Sequence, residues 1–442
     1  MKKKILKTTI LLMMISALSK LLSFIIRILI ARLLNEEAIN YYSLASSALM
    51  FLISLSNFGI PNALTQLVAS KKNAQPSISA AILLSLANNV LLILVCILGI
   101  PLYAHFLLKQ DILIPVLYAC IPMLPMVMTT GLMKGYFMGR QKMLFAASSQ
   151  ITEEIFRLVF LILFYPSFSS SSVMMAAFAL FSQTIGEIGS CLHLSLSLLF
   201  KQRRRLIQYI MPDFQQSAIV EVLSLSVPMT AARMTGSLTA FLEPVLMLNA
   251  ASLSMKEIYI NIYSQINTYV LPLITLPSFF SVALSGWVLP AFSQAFGKNN
   301  IKKARSIFFF STMFAVVSGG ICAVLFFFFG EPICLLLYQK NDMVPLLKLL
   351  CLPFAFYSAQ PILTCILHGA QKSTRAMIDT LCGCAVRLVS LVLLCKSSIP
   401  SAAAIAMILS SLTTTFLHAQ ACLALLFNQK QTVFCPQRKK NF

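Results

Sequence analysis

Residues 139–163, GRQKMLFAASSQITEEIFRLVFLIL, return in altered form as residues 369–393, GAQKSTRAMIDTLCGCAVRLVSLVL. At this constant offset of 230 the two segments share nine residues. Leucine-rich helices produce chance identities, so the weight falls on the less common matches. These are Gly139/Gly369, Gln141/Gln371, Lys142/Lys372 and Arg157/Arg387. The repeat predicts a duplicated chain made of two equivalent halves.

Outward from the repeat, the chain divides into about twelve apolar segments of membrane-spanning length. Hydrophobic residues make up 58% of the sequence and charged residues 11%, far from the balance of soluble domains. A helix needs about 20 apolar residues to cross the hydrocarbon core of a bilayer. The predicted spans are 9–33, 41–61, 78–101, 112–133, 145–165, 173–200, 222–248, 262–290, 306–330, 344–367, 376–395 and 401–427.

We therefore predict an all-α polytopic membrane protein with two six-helix lobes related by pseudo-two-fold symmetry. The N-terminal lobe is residues 1–205, the C-terminal lobe 206–427, and a basic cytoplasmic tail follows over 428–442. Six is an even number, so each lobe begins and ends on one side and the repeats run parallel. The basic segment from Lys201 to Asp213 is the predicted linker.

The distribution of cations predicts the orientation. Of the 34 Lys and Arg residues, 23 lie at the termini and in every second loop, and only four lie in the opposite loops. The positive-inside rule places the 23 in the cytoplasm, so we expect a multi-pass protein of the cytoplasmic membrane with both termini inside. Because the net charge of +21 is spread over these loops, it does not indicate nucleic-acid binding.

Cysteine and histidine patterns give no sign of a metal site or of covalent catalysis. The 12 cysteines are scattered without a C-x-x-C motif, and the four histidines lie far apart. No phosphate-binding G-x-x-x-x-G-K-[ST] motif occurs. We expect no cofactor, no metal and no enzymatic activity.

The first span carries the most informative polar residues. Ser16, Lys20, Ser23 and Arg27 are spaced by four, three and four residues, which places them on one face of a helix. Two cations inside a membrane cost about 2.5–3.5 kcal/mol each unless they meet water or an anion. We predict that this face, here called the first-span stripe, binds an anionic head group. A structural ion pair with another helix, or snorkelling, are the alternatives, and snorkelling is favoured for Arg32.

The seventh span repeats the same spacing. Ser226, Thr230, Arg233 and Ser237 form its stripe, and Glu243 follows just before Pro244. We predict that Arg233 and Glu243 contribute to the same substrate site, in a cavity between the lobes. The alternative for Arg233 is an ion pair with Glu243 or Glu187.

Further charges inside the spans are predicted to be structural or to couple transport to a cation. Glu153 and Arg157 form an i,i+4 pair in the favourable order, and Arg375 and Asp379 form one in the weaker order. Arg387 is the repeat partner of Arg157. Glu187 lies between Gly186 and Gly189, where small residues favour close helix packing and a buried carboxylate could carry a proton.

These motifs resemble a known family. Gly135-Tyr136-Phe137-Met138-Gly139-Arg140-Gln141-Lys142-Met143, with Ser149-Gln150 and 153–157, resembles the signature of the stage V sporulation protein B family. That family is a polysaccharide-transporter branch of the MATE-like (MOP) superfamily and is related to the lipid II flippase MurJ. Gly59-Ile60-Pro61, Glu243-Pro244 and 289–293 add weaker matches. Lys20 stands where arginine is usual. Many relatives carry fourteen helices, whereas twelve are predicted here, so we expect substrate handling to differ.

The resemblance implies a flippase for a lipid-linked oligosaccharide, such as a peptidoglycan or polysaccharide precursor, working by alternating access. Lys20, Arg27 and Arg233 would hold its diphosphate. The expected partners are this anionic lipid, membrane lipids and a coupling cation, and we expect a monomer. Two rivals are a cation-coupled multidrug exporter of the MATE type, which favours an anionic cavity, and a membrane enzyme acting on lipid-linked sugars.

Overall fold

The structure, a computed structural model, describes residues 2–71, 73–168, 170–210 and 215–427. Over these residues the chain is helical and contains no strand. The helices are α1 Lys2–Leu33, α2 Glu36–Asn57, α3 Ile60–Ser70, α4 Gln75–Leu102, α5 Ile114–Tyr118, α6 Met123–Gly139, α7 Met143–Phe168, α8 Ser172–Ile210, α9 Gln216–Ala250, α10 Lys256–Gln265, α11 Leu271–Ile274, α12 Leu276–Gly297, α13 Ile301–Tyr338, α14 Val344–Tyr357, α15 Gln360–Gly369, α16 Ser373–Lys396 and α17 Ala402–Phe427.

Ten helical stretches among the described residues are long and apolar enough to cross a membrane. A helix satisfies all its backbone hydrogen bonds internally, which is what a bilayer demands of a spanning segment. Large apolar side chains such as Leu98 and Phe328 are more than 70% exposed, as lipid-facing residues would be. Two other predicted spans, α7 and α9, are 26 and 35 residues long and carry internal charges. The all-α membrane fold is confirmed, and the count of twelve spans stays a prediction.

Several predicted spans are longer or more interrupted than the sequence suggested. The second ends at Phe58 and Gly59, both left-handed, before α3 begins. The eighth is divided among α10, a π-helical turn at Ile266–Val270, α11 and α12. Prolines explain part of this: Phe329 has non-helical angles in α13, three residues before Pro332, whose ring removes a hydrogen bond and crowds the preceding turn.

The predicted linker is largely helical. Helix α8 continues to Ile210, so the basic segment 201–210 extends the helix, and residues 211–214 lie outside the described part. The basic tail 428–442 also lies outside it.

The sequence repeat corresponds to a repeated backbone turn. Gln141 and Gln371 both adopt left-handed angles, with φ of 58° and 59°. The next residue closes each helix: the Lys142 amide donates to the Phe137 carbonyl at 2.9 Å, and the Lys372 amide to the Leu367 carbonyl at 2.8 Å. This six-to-one hydrogen bond is the Schellman pattern of helix ends. The two repeated segments thus share one local backbone geometry, and the duplication of the whole chain stays a prediction.

The chain packs as two compact units. Unit 1 comprises the described residues of Met1–Leu273, Phe329–Leu347 and Arg387–Ala406, and unit 2 those of Ile274–Phe328, Lys348–Val386 and 407–427. Unit 1 contains a buried apolar cluster built by α3, α4, α6 and α9. Unit 2 contains one built by α12, α13, α15 and α17. This grouping does not follow the boundary near residue 205, and the two-lobe division stays a prediction.

Glycines of the family-like motif let α6 lie against α3 in unit 1. A Cβ at Gly135 would lie 2.5 Å from the Pro61 carbonyl oxygen, and one at Gly139 would lie 2.7 Å from Val68. Gly59, with φ of +62°, leaves room for the Ser226 carbonyl of α9. The motif therefore specifies backbone contacts, because only glycine fits where two helices approach this closely.

Candidate functional site

Two residues of the first-span stripe, Lys20 and Ser23, lie near the carboxylate of Glu154 on α7. Helix α1 packs against α7 in unit 1. The Ser23 hydroxyl and the Lys20 ammonium both lie within interaction range of the Glu154 carboxylate. Ser16 and Lys20 are exposed, and Ser23 is half-buried. The ion-pair alternative for Lys20 is thus partly realised, although its ammonium stays accessible.

Arg27 is the accessible cation of the stripe. Its side chain is exposed, and among the described residues it forms no ion pair. It lies within electrostatic range of the Tyr338 hydroxyl, which is itself tied to the Tyr269 carbonyl at 3.1 Å. A guanidinium carries five donors in a fixed fork that suits phosphate oxygens. Arg27 is therefore the described residue of the stripe best placed to receive an anion.

Arg32 is exposed and contacts the end of another helix, and its predicted snorkelling stays a prediction. Its guanidinium donates to the carbonyl oxygens of Leu336 and Leu337 at 2.5 and 2.7 Å. These carbonyls belong to the last turn of α13, where helical carbonyls lack partners and the helix dipole favours a cation. Arg32 thus caps α13.

The predicted Glu153–Arg157 pair is replaced by contacts with neighbouring helices. Glu153 accepts from Lys134 of α6 at 3.0 Å. Arg157 donates to the Ser182 hydroxyl at 3.1 Å and attracts Glu154, whose second oxygen has no hydrogen-bond partner within the described chain. The expectation failed because i,i+4 spacing reports only one helix, whereas α6 brings Lys134 to Glu153 and α8 brings Ser182 to Arg157.

Glu187 is buried and accepts a hydrogen bond from Thr130 at 2.6 Å. The small residues beside it allow the predicted close packing: a Cβ at Gly186 would lie 3.0 Å from the Glu153 carbonyl, and one at Gly189 would overlap Phe156. Lys134 lies within electrostatic range of both Glu153 and Glu187. These residues form a buried charged network between α6, α7 and α8.

The stripe of the seventh span is less accessible than that of the first. Ser226 and Thr230 are buried, and each donates to a carbonyl of its own helix α9. Ser237 is half-buried and donates to the Met234 carbonyl. The side chain of Arg233 lies outside the described part, so its predicted role stays a prediction. The hydroxyls of this stripe serve the helix backbone.

Glu243 is held by Arg387, a pairing that the sequence did not indicate. The Arg387 Nε lies 3.0 Å from one carboxylate oxygen, and Nη2 lies 2.7 Å from the other. The side chain of Glu243 is 2% exposed and that of Arg387 is 22% exposed. Because its side chain is buried against Arg387, Glu243 is not accessible to a substrate in this conformation. The repeat of Arg157 at Arg387 was a usable signal that a buried acid lies nearby.

The predicted Arg375–Asp379 pair is present in unit 2, with Arg375 Nε 2.9 Å from one carboxylate oxygen. The other oxygen lies 3.1 Å from His418 Nδ1 on α17, a contact that sequence reasoning missed. The available signal was a lone histidine in an otherwise apolar helix. Nowhere among the described residues do three His, Cys, Asp or Glu side chains cluster as metal ligands.

Comparison with known proteins fits this architecture. Residues 5–296 match the family described as "Polysaccharide biosynthesis protein", and residues 238–393 match the family "MatE". Stage V sporulation protein B of Bacillus subtilis is 26% identical over 433 residues, covering 95% of this chain and 83% of that protein.

Two solved structures share the fold. A multidrug resistance MATE family transporter of the MOP superfamily, in an inward-facing conformation, has a TM-score of 0.73 and 13% identity over 92% of this chain and 95% of its own. The lipid II flippase MurJ, in an inward closed conformation, has a TM-score of 0.70 and 14% identity over 93% and 87%. Fold and relatives together define a membrane transporter or flippase. The chain belongs to the polysaccharide biosynthesis protein family.

Proposed function

We propose that this protein flips a lipid-linked oligosaccharide across the bacterial cytoplasmic membrane, and that Arg27 and Lys20 bind its diphosphate. The observation that carries the proposal is the accessible pair of cations on one face of α1, within the span Met14–Leu33. They stand two turns apart, about 10 Å along the axis, which suits a diphosphate and its first sugar. The related lipid II flippase and the family assignment support this substrate class.

The proposed cycle involves no covalent step. The substrate head group enters from the cytoplasm, where the basic loops would concentrate anions. Rocking of the two proposed lobes then re-exposes it on the outer side, with both chain termini in the cytoplasm. Arg233 of the second lobe is proposed as the third cation. Glu187 and Asp379, both buried, are proposed as sites that couple transport to a cation.

The multidrug exporter is the second candidate, because a MATE transporter shares the fold. Cationic drugs require an accessible carboxylate. Inside the membrane helices of unit 1, Glu243 and Glu187 are buried and hydrogen-bonded, and exposed acids such as Glu36, Glu37 and Glu257 lie at helix starts, whereas Lys20 and Arg27 are exposed within the first span. The observed charge distribution therefore favours an anionic substrate.

The test is a flipping assay with purified protein in liposomes. The probe is a fluorescent polyprenyl-diphosphate disaccharide, whose outer-leaflet fraction is quenched by a membrane-impermeant reductant. We expect Arg27→Ala to abolish flipping, Arg27→Lys to retain part of it, and Lys20→Arg to be tolerated. Lys396→Ala, which removes an exposed cation at the end of α16, is the matched control.

Competition distinguishes the candidates. Inorganic diphosphate should inhibit flipping by the wild type, whereas a cationic dye should not compete. Near-normal flipping by Arg27→Ala, or dye export that depends on Glu187, would overturn the proposal.

A further inference from the structure

A carboxylate and an imidazole are buried together in unit 2. Asp379 of α16 and His418 of α17 are each 1% exposed. His418 Nδ1 lies 3.1 Å from Asp379 Oδ2, and Arg375 Nε lies 2.9 Å from Asp379 Oδ1. Each carboxylate oxygen therefore has its own partner. Buried ionisable groups inside membrane helices are costly, so their presence indicates a function.

The geometry fixes where the protons lie. An ionised carboxylate only accepts hydrogen bonds, so Arg375 and His418 must both donate to Asp379. The proton of a neutral His418 therefore sits on Nδ1, which leaves Nε2 with a free lone pair. Nε2 can take up one proton without breaking the contact with Asp379. The imidazolium so formed would share the carboxylate with Arg375.

No other described acid offsets that second positive charge. The charged and titratable groups in electrostatic range of His418 are Asp379, Arg375 and His368, and Cys422 interacts with Asp379. On α13, Arg305 is engaged with the Leu426 carbonyl at 2.8 Å. One carboxylate thus faces one fixed cation, Arg375, when His418 is neutral. Protonation of His418 adds another, so it must change the balance of forces in this interface.

Helices α16 and α17 are closely packed next to the Asp379–His418 pair. Gly383 lies one turn beyond Asp379 on α16, and Thr414 lies one turn before His418 on α17. A Cβ at Gly383 would lie 1.9 Å from the Thr414 hydroxyl. The two helices are therefore in contact one turn from the pair, and close-packed helices respond to new charge by shifting as bodies.

Residues near the buried pair also line a cavity in unit 2. A cavity of about 550 Å³ in unit 2 is lined by Gln360, His368 and residues of α12. His368 bonds Ser373 at 2.8 Å, at the start of α16. Gln360 donates to the Thr415 hydroxyl at 2.9 Å, one turn from His418. Two residues that line the cavity therefore lie close to the pair: His368 is within electrostatic range of His418, and Gln360 bonds Thr415 one turn before it on α17.

We propose that His418, with Asp379 as its counter-ion, is a proton-binding site through which a proton gradient acts on the packing of α16 and α17. A proton from the cavity binds Nε2 and leaves by the same nitrogen when the helices move. The inference deepens the proposed transport function by naming the coupling cation, but it does not depend on the transported lipid.

The direct test follows the four histidines of the chain by NMR. Protein labelled with carbon-13 at histidine Cε1 is titrated in detergent from about pH 5 to about pH 9, the range in which histidine charge changes. His105→Gln, His193→Gln and His368→Gln assign the His418 signal by elimination, so a poorly folded His418 variant cannot block the test. We expect the His418 signal to titrate, and Asp379→Asn to move its midpoint.

A functional arm uses a variant that keeps the hydrogen bond. In His418→Asn the amide can still donate to Asp379 but cannot titrate, so we expect flipping to lose its dependence on a pH gradient. The exposed His105→Gln is the matched control. A His418 signal that does not titrate, or one that responds to sodium and not to protons, would overturn the inference. Normal titration with no flipping of the lipid probe would instead overturn the proposed substrate alone.

Discussion

We expect a large and specific loss of stability when either partner of the Glu243–Arg387 pair is removed. At about 3 Å and an effective dielectric constant of about 20, two unit charges attract by about 5–6 kcal/mol. Desolvation offsets most of this, so the intact pair contributes little net, whereas breaking a buried pair costs about 3–5 kcal/mol. Arg387 keeps 22% of its side chain exposed. We therefore expect Glu243→Gln to lower the free energy of unfolding by about 3 kcal/mol, the lower end of that range.

The double variant should recover most of that loss. In Glu243→Gln/Arg387→Gln no charge is left unpaired, so we expect destabilisation of about 1–2 kcal/mol and a favourable coupling energy of at least about 2 kcal/mol. The assay is reversible unfolding in mixed micelles with increasing denaturing detergent, followed by helical circular dichroism. Glu257→Gln, which neutralises an exposed carboxylate at the start of α10, is the control.

Additive effects of the two single changes, or a Glu243→Gln loss no larger than that of Glu257→Gln, would refute this reasoning. The double variant also separates structure from transport. If it is stable but inactive in flipping, Glu243 serves transport as the sequence predicted. If it is stable and active, the pair is structural.

Three further predictions concern packing and helix ends. Gly135→Ala places a methyl group against the Pro61 carbonyl and should destabilise the protein by about 1–3 kcal/mol. Its control is Gly99→Ala, whose methyl group would meet nothing within 4 Å and which should stabilise the protein slightly. Thermal unfolding compares the two variants. Gln371→Gly relieves left-handed strain and should stabilise by about 0.5–1 kcal/mol in the same assay, and a loss would contradict the turn geometry. Arg32→Ala leaves the last carbonyls of α13 without a cation and should cost about 1–2 kcal/mol, and no change would show that the cap is solvated.

The sequence predicted what depends on local spacing. Apolar length gives the helices, because a bilayer leaves few alternatives. The Gly-Gln-Lys repeat identified two corresponding segments, and both have the same left-handed turn, at Gln141 and Gln371. The Arg375–Asp379 pair was found because its members lie on one face of one helix.

Contacts between distant segments could not be predicted in this way. Glu243 and Arg387 are 144 residues apart, and helical periodicity says which face is polar but not which helix lies opposite. Glu153 was expected to pair with Arg157 on its own helix, whereas its partner in the structure is Lys134 of α6. His418 was set aside because the histidines lack metal-ligand spacing, whereas in the structure it is buried and bonded to the carboxylate of Asp379.

The capping of α13 by Arg32 has a consequence for biosynthesis. Arg32 and its acceptors are 304 and 305 residues apart in the chain. At roughly 5–20 residues per second, the ribosome needs about 15–60 s to make the acceptors after Arg32 emerges. During that interval the guanidinium must be solvated by water or lipid phosphates at the membrane surface. Final seating of the first helix therefore waits until most of the chain has been translated, and a nascent protein truncated before residue 336 should leave α1 without this anchor.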